Sequence, residues 1–446
     1  MVTRRIAIIG AGPAGSAAAH TLRRHGHEVV IYERAPALGG RTRTYREGRF
    51  RLDTGAGFIT NFYPRVTALG EETGFGADLR RLERVTGLHH NGRMAQLDIG
   101  SLRSFFAYPF IGMRDKLRMI RWTGTMTLKR RQMDLVDPGS LAPFDDCSVE
   151  QLARESVGDK AYEFLVRPGI EPFWYFSCED VSASMVRALT AHAAGARFYY
   201  YADGIDRICS GLIGDCELVL EASVARVDVR GKGVELVIER PGFSEAKRFD
   251  KVVVATTGSV AHQVTADLPE TVVSSTQRAF LMSQRYAANV HLCYRIPKLD
   301  PRPKVSSIFP VGPGPHPLAA VAFQRIRDAE ADAHDDELVS VYLSDVESRR
   351  VMDWTDEALY RHGLELARTV YPGLPTHYEP FHLTRRAEAI PVHGVGRYRQ
   401  AVAFEKAQAQ CDGRVVFCGD YLTTATVEGA VASGLNAADA ILRQTA

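Results

Sequence analysis

Near the start of the chain stand three glycines, one glutamate and a second glycine pair. Gly10, Gly12 and Gly15 spell G-x-G-x-x-G, and Glu33 follows 18 residues after Gly15. These residue types in this order suit a dinucleotide. Gly10 allows a tight turn, Gly12 lets a pyrophosphate approach the backbone, and Gly15 lets a helix close on its strand. The N–H groups at the helix N-terminus are free to meet the phosphates. A carboxylate at the distance of Glu33 meets an adenosine ribose, and it would repel a 2′-phosphate, which disfavours NADP. Leu38-Gly39-Gly40-Arg41-Thr42 comes next. A simple NAD domain has no need of it. Glycines for close approach and Arg41 for charge suit the pyrophosphate of FAD.

The far end of the chain carries the complementary chemistry. Val415 to Cys418 is apolar and runs into Gly419-Asp420, and Glu428 to Leu442 is rich in small residues. An aspartate at a strand end can bond a ribityl hydroxyl. A helix beginning near Val427 can aim N–H groups at one edge of a flavin and stabilise its reduced, anionic ring.

Together these pieces resemble the flavin-dependent amine oxidase, protoporphyrinogen oxidase and phytoene desaturase superfamily. The likeness rests on the N-terminal glycine motif, Gly39-Gly40-Arg41-Thr42, Asp53-Thr54-Gly55-Ala56, and the Gly419-Asp420 to Glu428-Gly429-Ala430 block. It is specific over about the first 60 and last 35 residues and diffuse between them. The resemblance implies FAD, expected to be held non-covalently because no cysteine lies from Thr423 to Glu428, where some relatives tether the flavin. It also implies cofactor contacts from Pro13, Ala14, Arg34, Gly57 and Phe58, and from Val427, Glu428 and Ala430. Val224 would touch the adenine through its backbone.

The elements that must position these residues can be read from periodicity. Ile6 to Ile9 and Val29 to Tyr32 read as buried parallel strands flanking a helix from Ala14 to Arg24. Glu217 to Leu220, Ala222 to Val229, Val234 to Arg240 and Lys251 to Ala255 read as further strands. The expected fold is α/β: a Rossmann-like FAD-binding domain built from residues 1–85, 200–275 and 386–446. An inserted α+β substrate domain would comprise residues 86–199, mainly helical, and 276–385.

Composition narrows the classes. The 446 residues are 45% hydrophobic with a net charge of +2, so no general affinity for nucleic acid follows. Seven cysteines without a C-x-x-C pair read as reduced thiols of a cytoplasmic protein, and no metal site is expected. The opening residues do not read as a signal peptide, and no apolar run is long enough to span a bilayer. The sequence carries no signal of oligomeric state. Arg103 to Arg131 holds eight basic residues and one acid, Asp115, with apolar residues at helical spacing. Such a stretch is either a packed helix with a solvated basic face or a weak peripheral membrane contact.

Candidate substrate residues are fewer. Pro172 to Phe176 is an aromatic patch, from which Trp174 and Tyr175 could line a pocket, and Tyr200 in "RFYYY" could edge it. Ser177 and Asp180 offer helix caps. The resemblance places a strand lysine near the flavin of amine oxidases, where this chain has Asn289 and His291, and a tryptophan where it has Ala387. These departures weaken a simple monoamine oxidase. His393, in a loop expected near the flavin, is the one candidate for moving a substrate proton. The leading expectation is an FAD-dependent oxidoreductase that removes a hydride from a fairly large, partly apolar small molecule, forming C=C or C=N. Oxygen or a quinone-like acceptor would then reoxidise it. A redox-neutral isomerase or cyclase, an aromatic hydroxylase using NAD(P)H, and a flavin-binding scaffold without chemistry remain alternatives.

Overall fold

The computed structural model describes residues 3–82, 85–98, 100–193, 195–328 and 331–444. Apolar runs without polar alternation give five short strands, four of them largely buried and the edge strand Glu217–Val219 half-buried. They form one parallel sheet in the order Glu217–Val219, Glu28–Tyr32, Arg5–Ile9, Lys251–Val254, Val415–Phe417. Register aligns their carboxyl ends: Ile9 lies opposite both Tyr32 and Val254, Val219 opposite Tyr32, and Val254 opposite Phe417. All five strands therefore open on one edge, where ligands of such sheets bind. The helices Pro13–Arg24 and Val427–Arg443 cross closely over this sheet, because a side chain at Gly434 would stand 2.1 Å from the Ala14 carbonyl. A three-stranded antiparallel sheet, Ser223–Arg230, Gly233–Arg240 and Phe243–Phe249, packs nearby through Val224, Val227 and Leu236.

A seven-stranded sheet faces the open edge. Its order is Glu379–Val392, Arg285–Pro297, Asp336–Leu343, Leu318–Phe323, Ser307–Pro310, Val85–His90, Arg93–Asp98. Two findings differ from the sequence reading. The stretch from residue 86 opens with a hairpin before its helices, turning at Asn91-Gly92, both at positive φ. That dipeptide is the usual two-residue hairpin turn and is the signal that periodicity overlooked. The strand Glu379–Val392 also runs unbroken through residue 386, across the expected domain boundary.

The helical stretch spans Leu102–Ala107, Met113–Leu128, Val149–Val157 and Ala183–Ala191. Serines start three of these helices: Ser101, Ser148 and Ser182 accept from the N–H groups of Ser104, Gln151 and Ser184. The cap of the last helix is thus Ser182 rather than Ser177 or Asp180. No helix among the described residues is long and apolar enough to cross a membrane.

Candidate functional site

A cavity of about 1740 Å³ runs from the open edge of the parallel sheet to the seven-stranded sheet. It exceeds the roughly 300–1,000 Å³ of ordinary ligand pockets, so a dinucleotide and a second molecule can share it. At the sheet edge it is lined by Gly10, Gly12, Pro13, Ala14, Glu33 and Arg34, with Val224 close by. Gly10 sits at φ +105°, where a side chain would stand 2.8 Å from the Ala255 carbonyl. Gly12 is different: a side chain there would meet nothing within 4 Å, so the glycine keeps a space open rather than relieving a clash. Glu33 accepts from the N–H groups of Ala11 and Ala35, each at 2.9 Å, which fixes its carboxylate at the cavity wall.

The second glycine pair folds back onto the first. The Gly39 N–H donates to the Ala11 carbonyl at 2.9 Å, and this leaves Gly40, Arg41 and Thr42 facing the cavity. Gly55 holds the opposite wall close, since a side chain there would stand 2.0 Å from the Arg41 carbonyl. Gly57 and Phe58 continue that wall. Arg41 donates to Asp420 Oδ1 at 2.6 Å. Burial opposes its charge, but Asp420 prevails and raises its pKa. Gly419, Asp420, Val427 and Ala430 line the cavity from the C-terminal segment. The 17-residue helix from Val427 begins there with Thr426 as its cap. A glycine cradle that is open at Gly12, a carboxylate at the strand end, an arginine and a helix N-terminus form a donor set that fits FAD from adenosine to ring.

Four expected site residues take other places, and Gly15 keeps the packing role expected of it. Gly15 does not line the cavity; it allows the strand–helix contact, because a side chain would stand 2.0 Å from the Gly10 carbonyl. Gly39 is likewise structural, in the left-handed region at φ +105°. The Glu428 side chain is buried, and its carboxylate accepts from the N–H groups of Arg65 and Val66 at 2.9 and 3.0 Å, capping the helix Pro64–Thr73. Tyr200 lies in the strand Phe198–Tyr201, outside the lining, with the Arg327 guanidinium 5.7 Å over its ring. His393 is buried 5.3 Å from Tyr398 in a stacked pair, also outside the lining. Burial presses its pKa down to about 3, so it is neutral.

Beyond the glycine loops the walls become aromatic. Phe58 meets Phe173 edge-on at 6.0 Å, and Phe173 meets Phe309 at 5.3 Å. Trp174 and Tyr175 both line this arm, and the Trp174 indole donates to the Ala425 carbonyl at 2.7 Å, tying the arm to the C-terminal segment. The strand Glu379–Val392 contributes Arg386, Ala387 and Glu388, and Asn289 faces them from the strand Arg285–Pro297. His291 turns away: it stacks on Tyr342 at 4.2 Å, bonds Ser340 at 2.9 Å, and is pressed by burial to about 3. The sequence reading singled out Ala387 and missed Arg386, because the strand that carries it into the cavity has no local signal in the sequence. Among the described residues no cysteine or histidine lines the cavity, and no cluster of His, Cys, Asp or Glu could hold a metal.

The comparisons agree with this geometry. A family model described as flavin containing amine oxidoreductase matches residues 13–442. A Mycobacterium tuberculosis protein designated a flavin-containing monoamine oxidase, AofH, is 28% identical over 274 residues, covering 54% of this chain and 55% of that protein. The chain thus spans about half the length of the curated relatives it matches first. Two solved structures share the fold over the whole of both chains. One is designated a protoporphyrinogen oxidase from Exiguobacterium sp. 255-15, with TM-score 0.75 and 16% identity. The other is cyclohexylamine oxidase from Brevibacterium oxydans IH-35A, with TM-score 0.72 and 18% identity.

Proposed function

The chain belongs to the flavin-containing amine oxidoreductase family, and from that premise we propose that it removes a hydride from a C–H bond of a fairly large, partly apolar substrate, leaving C=C or C=N. The observation that carries this reading is the continuity of one cavity from the nucleotide loops into the aromatic arm of Phe58, Phe173, Trp174 and Tyr175. When bound, FAD supplies the hydride acceptor. The chain's own residues have the remaining tasks. The arm binds and orients an apolar skeleton and excludes water through its edge-to-face rings. Asn289 offers an amide where a strand lysine would otherwise stand.

We propose residues 1–85, 200–275 and 386–446 as the cofactor-binding part and residues 86–199 and 276–385 as the substrate part. Oxygen or a quinone-like molecule is proposed as the final electron acceptor. A peripheral membrane contact through residues 103–131 is supported by the helix Met113–Leu128. Met113, Leu117, Ile120 and Leu128 are exposed along it, with Arg114, Arg118 and Arg121 also exposed beside them. Ile120 and Leu128 also line the cavity, so this surface lies at its mouth.

Anaerobic mixing tests the reaction. A cyclic or polyene substrate should bleach the flavin absorbance without any nicotinamide, and benzylamine and tyramine should bleach it slowly. Fast bleaching by the two simple amines, or bleaching by NADPH alone, would overturn the reading.

A further inference from the structure

Resting on that reading, we infer that Arg386 and Tyr175 form an anion subsite, and that the substrate is an apolar molecule carrying a carboxylate. Arg386 lies on the strand Glu379–Val392, opposite Asn289, where the aromatic arm meets the flavin end of the cavity. Its guanidinium donates only to Thr54, to the carbonyl and to Oγ1 at 3.1 Å, and no carboxylate among the described residues compensates its charge. Of the acids lining the cavity, Glu33 is held by two backbone N–H groups, Asp420 by Arg41 and Glu388 by Thr257 at 2.8 Å, while Asp98 is exposed at the end of the strand Arg93–Asp98. Arg41 and Arg43 add positive potential nearby. Burial, with those two arginines, lowers the Arg386 pKa to about 10, so the group is still charged at neutral pH and lacks a counter-ion.

Tyr175 supplies an independent observation. It follows the short helix Glu171–Trp174 at φ +63°, a left-handed conformation that a bulky side chain adopts only at a cost. The cost turns its ring into the cavity, stacked 6.4 Å from Tyr342 and near enough to Arg386 for the two groups to interact. A guanidinium and a phenol converging on apolar walls match a carboxylate: the arginine supplies paired N–H donors and the tyrosine an O–H. Arg41 is already paired with Asp420 and Arg385 with Asp356, so Arg386, with Arg43 beside it, offers the positive charge at this end of the cavity.

The test uses the purified holoenzyme with decanoate, decanamide and decylamine as probes. Binding is read from the flavin absorbance and, independently of flavin, from the fluorescence of cavity tryptophans such as Trp174. Decanoate should bind about ten-fold or more tighter than decanamide, as one charge-assisted contact implies. Arg386→Gln keeps a donor for Thr54 and should bring the two probes to within about two-fold, Arg386→Lys should restore part of the preference, and Tyr175→Phe should weaken decanoate alone. Equal binding of decanoate and decanamide by the wild type would overturn the subsite. So would Arg386→Gln weakening all three probes alike, or shifting the flavin spectrum while the preference stayed. A yellow protein without carboxylate preference defeats this inference alone; a chain that carries no flavin yet prefers decanoate defeats only the proposed reaction.

Discussion

Gly12 and Glu428 show how far residue identity alone can be trusted. Both stand in motifs, but only Gly12 borders the cavity. Gly12→Val would fill the space held open for the pyrophosphate, so the variant should fold and purify almost free of FAD, as flavin content will report. Glu33→Ala should weaken FAD by about 1.5–3 kcal/mol, since a charged acceptor is lost; a flavin titration checks it. Glu428→Ala should leave flavin content unchanged and lower stability by about 1–3 kcal/mol, because two buried N–H groups lose their acceptor. Glycine spacing made Gly10, Gly12 and Glu33 legible in the sequence. The cap formed by Glu428 was not, because its partners lie more than 360 positions away in the chain. His393 was misjudged for the same reason: burial is a property of the fold. His291 and His393 are both held near 3 in the fold and titrate near 6.5 when unfolded. Between those values the unfolded chain binds more protons, so stability rises with pH through the window and is lost as pH falls. His393→Phe should therefore lose less stability between about pH 7 and about pH 5 than the wild type does, measured by denaturant melts at both.

At the scale of elements, periodicity located the helix Met113–Leu128 but could not decide between a packed and an exposed apolar face. Trp122 on this helix is buried, whereas Met113, Leu117 and Ile120, spaced four and three residues apart, form an exposed stripe. A stripe of that kind flanked by arginines meets an anionic lipid surface, and the attraction is screened by salt. Vesicles of mixed phosphatidylcholine and phosphatidylglycerol should retain the wild type at low salt and release it at high salt. Leu117→Glu with Ile120→Glu should abolish retention without changing flavin content. Retention of that double variant would assign the stripe to another partner. The Asn91-Gly92 hairpin teaches a related lesson: a local turn signal was present, but the helical pattern after it dominated the reading of the whole stretch.

For the whole molecule, the parallel sheet was legible because each strand is a short apolar run ending in glycine, alanine or an acid. Its assembly from residues 5–32, 217–254 and 415–417 follows once those runs must share one edge. The seven-stranded sheet was not legible, since its strands pair across the chain and share no motif. Gly312 to Pro317, the only other glycine-rich candidate for a nucleotide, joins two antiparallel strands and leads into no helix. Reduced flavin should therefore pass electrons to oxygen or a quinone analogue and not to NAD⁺ or NADP⁺. This cavity is expected to hold FAD without a covalent bond, since no cysteine or histidine among the described residues lines it. Acid precipitation of the purified protein tests that most directly. The supernatant should be yellow and contain about one FAD per chain, as one cavity with one glycine cradle implies. A colourless supernatant, whether because the flavin stays with the precipitate or because the protein never carried it, would contradict the claim.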